Sequence, residues 1–371
     1  MTLRAQQDRK ERNLYVSQQT HTEISDLLTA AVDEEHHAHC ENQIGAVVIP
    51  LGVAGPLQYT GSEGSYSRYI PLATTEGALV ASVARGCKAI SFTGAVIDVD
   101  RIGTTRGPVF SVQSLEQRRR LTEWVQTNKD SLAQLALTTS SHIKLLDVTT
   151  RGTADYVFMR FTYDTSEAMG MNMVTIATQR LIEEIEQQTG ANCLSVAGNY
   201  DIDKKPAWLN SIMGRGRTVW AESMVPHEVL EKVLKTTAQN VFDVWLSKCM
   251  IGSAMAGSIG FNAHYANIIA AFYAATGQDL AHVVEGSAGV TTARVVEEGL
   301  YIAVYLPSVM VGIVGGGTKL KTQSQARAIT NCQSSDQLAE LLGGAVLAGE
   351  LSLLSSLSVG SLASSHTKLG R

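Results

Sequence analysis

Apolar and polar positions alternate most clearly between residues 108 and 197. Residues 108–112 read as a short strand, after which Ser114 and Gln117 form a capping box ahead of an amphipathic helix carrying Leu121, Trp124 and Val125 on one face. Two strands follow. The first is 143–149 and the second 156–163, where Val157, Met159, Phe161 and Tyr163 alternate with Arg160 and Thr162. A second helix is predicted from about residue 172 through Ile176, Leu181, Ile182 and Ile185 to a stop at Gly190, and 193–196 closes the run as a strand. The order β-α-β-β-α-β is that of a ferredoxin-like unit. Lying mid-chain, residues 108–197 read as an insertion into a larger domain made of 41–107 and 198–371, with 1–40 as an N-terminal helical or linker segment. The expected fold class is α+β, a large helix-rich domain carrying a small ferredoxin-like insert.

The flanking segments have a different texture. Stretches 75–90, 227–246, 262–276 and 341–364 are helical in pattern and rich in Gly, Ala and Ser, which let helices approach closely. The 30 residues 249–278 contain no Asp, Glu, Lys or Arg, enough to raise the question of a transmembrane helix. Gly252, Gly257 and Gly260 interrupt them, and Asn262, His264 and Asn267 put polar groups inside, so a buried glycine-rich loop leading into a core helix fits better. Residues 300–318, with Pro307 in the middle and three glycines at the end, read as buried strand and loop. There is no repeat and no G-x-G-x-x-G fingerprint.

At 371 residues the chain has room for two or three domains and needs no disulfide or metal staple. Hydrophobic residues make up 44% but aromatics only 6%, so the interior is expected to be built from Ala, Val, Leu and Ile. With 30 Lys plus Arg against 35 Asp plus Glu, the net charge of -5 leaves no basic footprint for nucleic acid or an anionic membrane, and an anionic ligand must be met locally. Cys40, Cys87, Cys193, Cys249 and Cys332 are scattered, and the opening MTLRAQQDRKERNLY is too charged for a secretory signal, so a reducing, cytoplasmic setting is expected. Glu34, Glu35, His36, His37, His39 and Cys40 are metal-ligating types, but they lack spaced pairs and read as a solvated linker, with no metal expected.

Four stretches place ionisable groups in apolar or glycine-rich surroundings, where perturbed chemistry is expected. In PLATTEGALV, Thr74 or Thr75 is placed to cap a helix with Glu76 in its first turn. That glutamate is either a surface partner of the helix dipole or a buried acid able to give up a proton. In GNYDIDKKP, Asp201, Asp203, Lys204 and Lys205 share a loop fixed by Pro206; such loops are commonly just solvated, yet a lysine here can also hold the oxyanion formed when hydride adds to a carbonyl. The third holds Asn262, His264 and Asn267, with Asp279 after the helix stop Gly277, and the fourth is the tail Ser364-Ser365-His366. The glycine-rich segments GSAMAGSIG, AMGMNM and VGGGTKL offer backbone N–H groups to phosphates or a nicotinamide, AMGMNM best because it opens a helix.

In order, ENQIGAVVIPLGVAGPL, PLATTEGALVASVARGCKAI, EAMGMNM, GNYDIDKKP, GSAMAGSIGFNAHYANI, ATGQD, VGGGT and the terminal SH resemble class I 3-hydroxy-3-methylglutaryl-coenzyme A reductases of the soluble prokaryotic type, over about residues 41–371. The resemblance implies a four-electron reduction of the acyl-coenzyme A thioester to mevalonate with two NADPH or NADH per turnover. It assigns Lys204 as the oxyanion-stabilising cation, Asp279 as its partner, Glu76 as proton donor towards the aldehyde step, and His366 as the acid for the departing thiolate. Arg106, Asp203, Lys205 and Asn267 resemble substrate binders, with Asn267 bonded to the lysine. His142, Gly170, Met171, Asn172, Met173, Gly316, Thr318 and Arg371 resemble nicotinamide-cofactor contacts, which makes the insert the cofactor domain and the large domain the substrate and dimerisation domain. Sites between subunits, in a homodimer or a dimer of dimers, are implied too. The chain departs from the family pattern at Ala197, at Gly260 and at His142, which stands where animal members have an arginine for the NADPH 2′-phosphate. Two rival readings are oxidative mevalonate degradation on the same fold and a catalytically silent coenzyme A-binding assembly protein.

Overall fold

The computed structural model describes residues 8–21, 23, 25 and 40–360. The cluster from Glu34 to His39 and the tail bearing His366 and Arg371 lie outside the described residues. Helix α1 (Arg9–Thr20) is capped by Asp8, whose carboxylate accepts the Glu11 N–H at 2.8 Å, and Asn13 ties it to the Ile44 carbonyl. Strands β1 (Leu51–Gly61) and β2 (Gly64–Ala73) form an antiparallel pair, followed by α2 (Leu79–Ile90) and the long strand β3 (Ala95–Arg106).

The insert follows as β4 (Val109–Ser111), α3 (Leu115–Thr127), α4 (Lys129–Leu137), β5 (Lys144–Gly152), β6 (Tyr156–Asp164), α5 (Met171–Thr189) and β7 (Asn192–Ser195). Ser114 does cap α3, accepting the Gln117 N–H at 3.1 Å. The pairings are antiparallel and give the order β7-β4-β6-β5. Phe110, Leu121, Val125, Phe161, Leu181 and Ile185 join a hydrophobic core separate from that of the large domain. Two details differ from the sequence reading. Helix α4 is an extra element before β5, and Ile176, expected on the inner face, points to solvent while Val174, Ala177 and Thr178 are buried.

The main elements after these, short helical turns aside, are α6 (Trp208–Met213), β8 (Gly216–Pro226), α7 (Ala238–Val244), α8 (Tyr265–Thr276), β9 (Val290–Val296), β10 (Gly299–Val309), α9 (Lys321–Ile329) and α10 (Ser335–Ser358). The large sheet runs β2-β1-β3-β8-β10-β9, and β3 joins it to the insert, because its last residues Thr104 to Arg106 pair with β6. Helix α10 is the spine. It packs on α2 so closely that a Cβ at Gly86 would lie 1.9 Å from the Ala348 carbonyl oxygen.

Among the described residues α10 is the one helix long and apolar enough to cross a membrane, and 83% of its apolar window is buried inside the protein. Its glutamates confirm a core role. Glu340 accepts Ser62 N–H and Oγ–H, and Glu350 accepts the Ala263 and His264 N–H groups at 2.9 and 2.8 Å and Thr291 Oγ at 2.6 Å.

Helix boundaries shift where polar caps replace the apolar pattern. Ser334 caps α10, which starts at Ser335, six residues before the expected 341, and α2 begins at Leu79 after left-handed Ala78 (φ 69°), so Glu76 precedes the helix. The expected helix 227–246 is broken: Lys235 is left-handed, Thr237 caps a new start, and Leu230–Leu234 and Trp245–Gly252 are wide π turns.

Candidate active site

The loop after β7 is bent by three non-glycine residues in the left-handed region, Asn199, Ile202 and Lys204 (φ 64°, 52° and 57°). Such a conformation is costly for residues with a Cβ and persists where surrounding contacts over-determine it. Here Thr105 Oγ1 donates to the Asp201 carbonyl at 2.9 Å, Arg106 Nη1 reaches the Asp201 carboxylate at 3.4 Å, and Asn210 Nδ2 donates to the Ile202 carbonyl. Burial pushes the Asp201 carboxyl up against the opposing pull of Arg106 and Arg215. Arg106 also faces Asp203 at 3.8 Å, and Lys205 Nζ donates to the Asp203 carbonyl.

The bend delivers Lys204 Nζ to within 2.7 Å of Asp279 Oδ2. Asp279 caps the turn Leu280–His282 by accepting the Ala281 N–H at 3.0 Å. Burial alone would raise its carboxyl; the Lys204 hydrogen bond, the Ala281 N–H and the charge on His282 outweigh it and hold the group below the usual carboxylate range. Glu76 is exposed in the turn ahead of α2, its N–H bonded to Thr74 Oγ1. Its carboxylate accepts Asn267 Nδ2 at 3.1 Å, so the asparagine on α8 meets the glutamate and not the lysine. Beside them a cleft of about 690 Å³ is lined by Pro206, Gly260, Asn262, His264, Asn267 and Ser287.

Behind the lysine lies a buried charge cluster that the sequence reading missed. Arg215, fully buried just before β8, donates to Glu285 Oε1 at 2.6 Å, Asp203 Oδ1 at 3.0 Å and Thr105 Oγ1 at 2.8 Å, and its Nη2 lies 3.0 Å from Met171 Sδ. His282 Nδ1 is 2.7 Å from the same Glu285 oxygen. Asp203, His282 and Glu285 bring ligand-type atoms within 4.8 Å of one another, the spacing of a metal site, but the guanidinium already supplies the positive charge these oxygens need. The only sequence signal was an arginine between glycines and a lone glutamate in an apolar stretch.

Two of the glycine-rich segments, AMGMNM and VGGGTKL, come together beside this cluster, whereas GSAMAGSIG lines the cleft. Gly170 is the left-handed residue that opens α5, with Met171, Asn172 and Met173 in its first turn, where helix N–H groups have no partner within the helix. Gly312 exchanges two hydrogen bonds with the Gln278 side chain, and Val314 bridges Ala168. Gly277, left-handed at φ 74°, passes so close to the next loop that a Cβ would sit 2.4 Å from the Gly317 oxygen. Gly316 and buried Thr318 form a tight turn there, with Thr318 Oγ1 donating to the Gly315 carbonyl. So the AMGMNM, GQD and GGGT segments lie side by side, and Met171 touches the arginine that also holds Asp203.

Residues 8–371 match the family described as Hydroxymethylglutaryl-coenzyme A reductase. The chain belongs to that family. Reductases of this name from Methanothermobacter thermautotrophicus and Aeropyrum pernix are 50% and 45% identical, over 89% and 97% of this chain and 85% and 89% of theirs. The fold resembles that of a class II 3-hydroxy-3-methylglutaryl-CoA reductase from Streptococcus pneumoniae solved with NADPH, with a TM-score of 0.72 at 18% identity over 95% of this chain and 98% of that one.

Of the site residues expected from the family, Asp203, Lys204 and Lys205 share one loop, with Asp279 on the facing turn and Arg106 at the end of β3, and Glu76 and Asn267 are paired to each other. His142 is elsewhere, exposed in the turn before β5, which begins only at Lys144. His366 and Arg371 lie outside the described residues.

Proposed function

We propose that this chain reduces 3-hydroxy-3-methylglutaryl-coenzyme A to mevalonate and coenzyme A, taking two hydrides from NADPH or NADH, as a class I member of its family. One observation carries the reading: the Lys204–Asp279 pair, closed at 2.7 Å, stands next to the opening of α5 through the Arg215–Met171 contact. The free N–H groups at that helix start and the adjoining glycine turns fit the phosphate and amide groups of a nicotinamide nucleotide. When bound, that nucleotide supplies the hydride.

Lys204 stabilises the charge that appears on the carbonyl oxygen only after hydride has added, which lowers the barrier and not merely the binding energy. Asp279 orients the ammonium. Glu76, held by Asn267, hands a proton to the aldehyde oxygen in the second reduction. Arg106, Asp203 and Lys205 hold the hydroxymethylglutaryl group, the lysine pairing with its free carboxylate. His366 protonates the departing coenzyme A thiolate. The DKKP sequence at 203–206 supports the class I assignment.

Residues 108–197, with strand order β7-β4-β6-β5 and their own core, serve as the ferredoxin-like nicotinamide domain. Val47 and Val48, 81% and 77% exposed in the ENQIGAVV segment, support self-association as a homodimer or a dimer of dimers. The five free cysteines fit a cytoplasmic setting. The experiment is absorbance at 340 nm with hydroxymethylglutaryl-coenzyme A and NADPH or NADH: two nicotinamides oxidised per coenzyme A released support the reading, and no substrate-dependent oxidation with either cofactor overturns it.

A further inference from the structure

We infer that Glu285 and His282 are positioning residues that fix the Lys204–Asp279 pair from behind. Glu285 is fully buried, and its Oε1 accepts three donors from three parts of the chain: Arg215 Nη1 at 2.6 Å, His282 Nδ1 at 2.7 Å and the Lys204 main-chain N–H at 3.3 Å. A carboxylate oxygen has no proton to give, so His282 Nδ1 carries the hydrogen of that contact. This leaves the other ring nitrogen, Nε2, facing forward. It is buried, has no hydrogen-bond partner among the described residues and lies 3.8 Å from Asp279 Oδ2, the oxygen that holds Lys204 Nζ.

Both halves of the pair therefore trace back to one oxygen. Glu285 grips the lysine through its backbone at the residue that adopts φ 57°, where a side chain needs outside support, and backs the aspartate through the His282 ring. Arg215 fixes Glu285 and balances its charge, while its second nitrogen holds Asp203. The ammonium and the carboxylate are each about a third exposed and would otherwise be free to swing into the cleft. A buried anchor holds them at hydrogen-bond distance before substrate arrives, which is what stabilising charge in a transition state requires.

The kinetic half of the test rests on the proposed reduction, while a chemical half does not. Glu285→Gln keeps the shape and weakens the hub; His282→Asn keeps a donor near the Nδ1 position and removes the group facing Asp279. Acylation of Lys204 by acetic anhydride at fixed pH, read by peptide mass spectrometry against the exposed Lys232, reports how firmly its ammonium is held. It should rise several-fold in His282→Asn and more in Glu285→Gln. In the same proteins kcat for hydroxymethylglutaryl-coenzyme A reduction should fall about ten-fold or more, with KM changed less than about two-fold, which global loosening would not produce. Unchanged Lys204 acylation in both variants overturns the inference, and if Glu285→Gln does not fold, His282→Asn alone decides it. A wild type that oxidises no nicotinamide overturns the functional reading, and the acylation result still decides this one.

Discussion

At the scale of single residues, chemistry here depends on what each charge faces. The His366 assignment has a sharp kinetic consequence. A thiolate whose conjugate acid has a pKa near 8.5 leaves more readily when an imidazolium protonates it, whereas mevaldehyde reduction releases no thiolate. His366→Gln should therefore slow reduction of the thioester by about ten-fold or more while leaving reduction of added mevaldehyde nearly intact; equal losses in the two assays would refute the role. Cofactor choice turns on another residue. His142 and Lys144 are both exposed near the start of β5, and neither offers the planar two-nitrogen fork with which a guanidinium grips a phosphate. NADH should therefore be accepted, and His142→Arg should raise kcat/KM for NADPH relative to NADH. A wild type strongly selective for NADPH and indifferent to that change would place phosphate recognition elsewhere. The sequence drew attention to Lys204 in a charged loop and to Asp279 and Glu76 in glycine-rich or apolar runs, and the family resemblance supplied their roles. It hid Arg215, His282 and Glu285, since their meaning comes from contacts 67 and 70 positions apart along the chain.

At the scale of elements, residues 108–197 were readable because the β6 sequence alternates apolar with polar residues and the helices are punctuated by Ser114 and Gly190, whereas the π turns around 230 and 248 follow no standard period. Helix α4 was missed because it follows α3 with Asn128 alone between them. The join between insert and large domain is ionic. Arg101 bridges Glu167 and Asp336 at 3.3 and 2.7 Å, Arg217 Nε holds Asp336 at 2.6 Å, and Glu167 accepts the Ser335 N–H at the start of α10. Burial would raise both carboxyls, yet these bonds leave Asp336 and Glu167 below the usual carboxylate range. A lowered native pKa means stability that is full above the unfolded value and is lost as pH falls through the folded one. Thermal midpoints measured from about pH 7 down to about pH 3 should show Asp336→Asn less stable than wild type at neutrality, with the gap closing as the wild-type carboxylate is protonated. A constant gap across that range would mean the charge of Asp336 contributes nothing to the join.

At the scale of the whole molecule, β3 passes from the large sheet to pair with β6, and the AMGMNM, GQD and GGGT segments meet where that strand, α5 and the Lys204 loop come together. The α+β class was legible from the mixture of alternating and helical patterns; the convergence was not, because it depends on close backbone passages such as Gly277 against Gly317. The account stands or falls on Lys204 and Asp279 acting as one electrostatic unit. The most direct measurement is a double-mutant cycle on kcat, with Lys204→Met, Asp279→Asn and the two combined, each checked for native folding. Each single change should lower kcat by about a hundred-fold or more, and the double variant should be hardly slower than the slower single, since either change already breaks the unit. Losses that multiply in the double variant would show two independent groups and contradict the account.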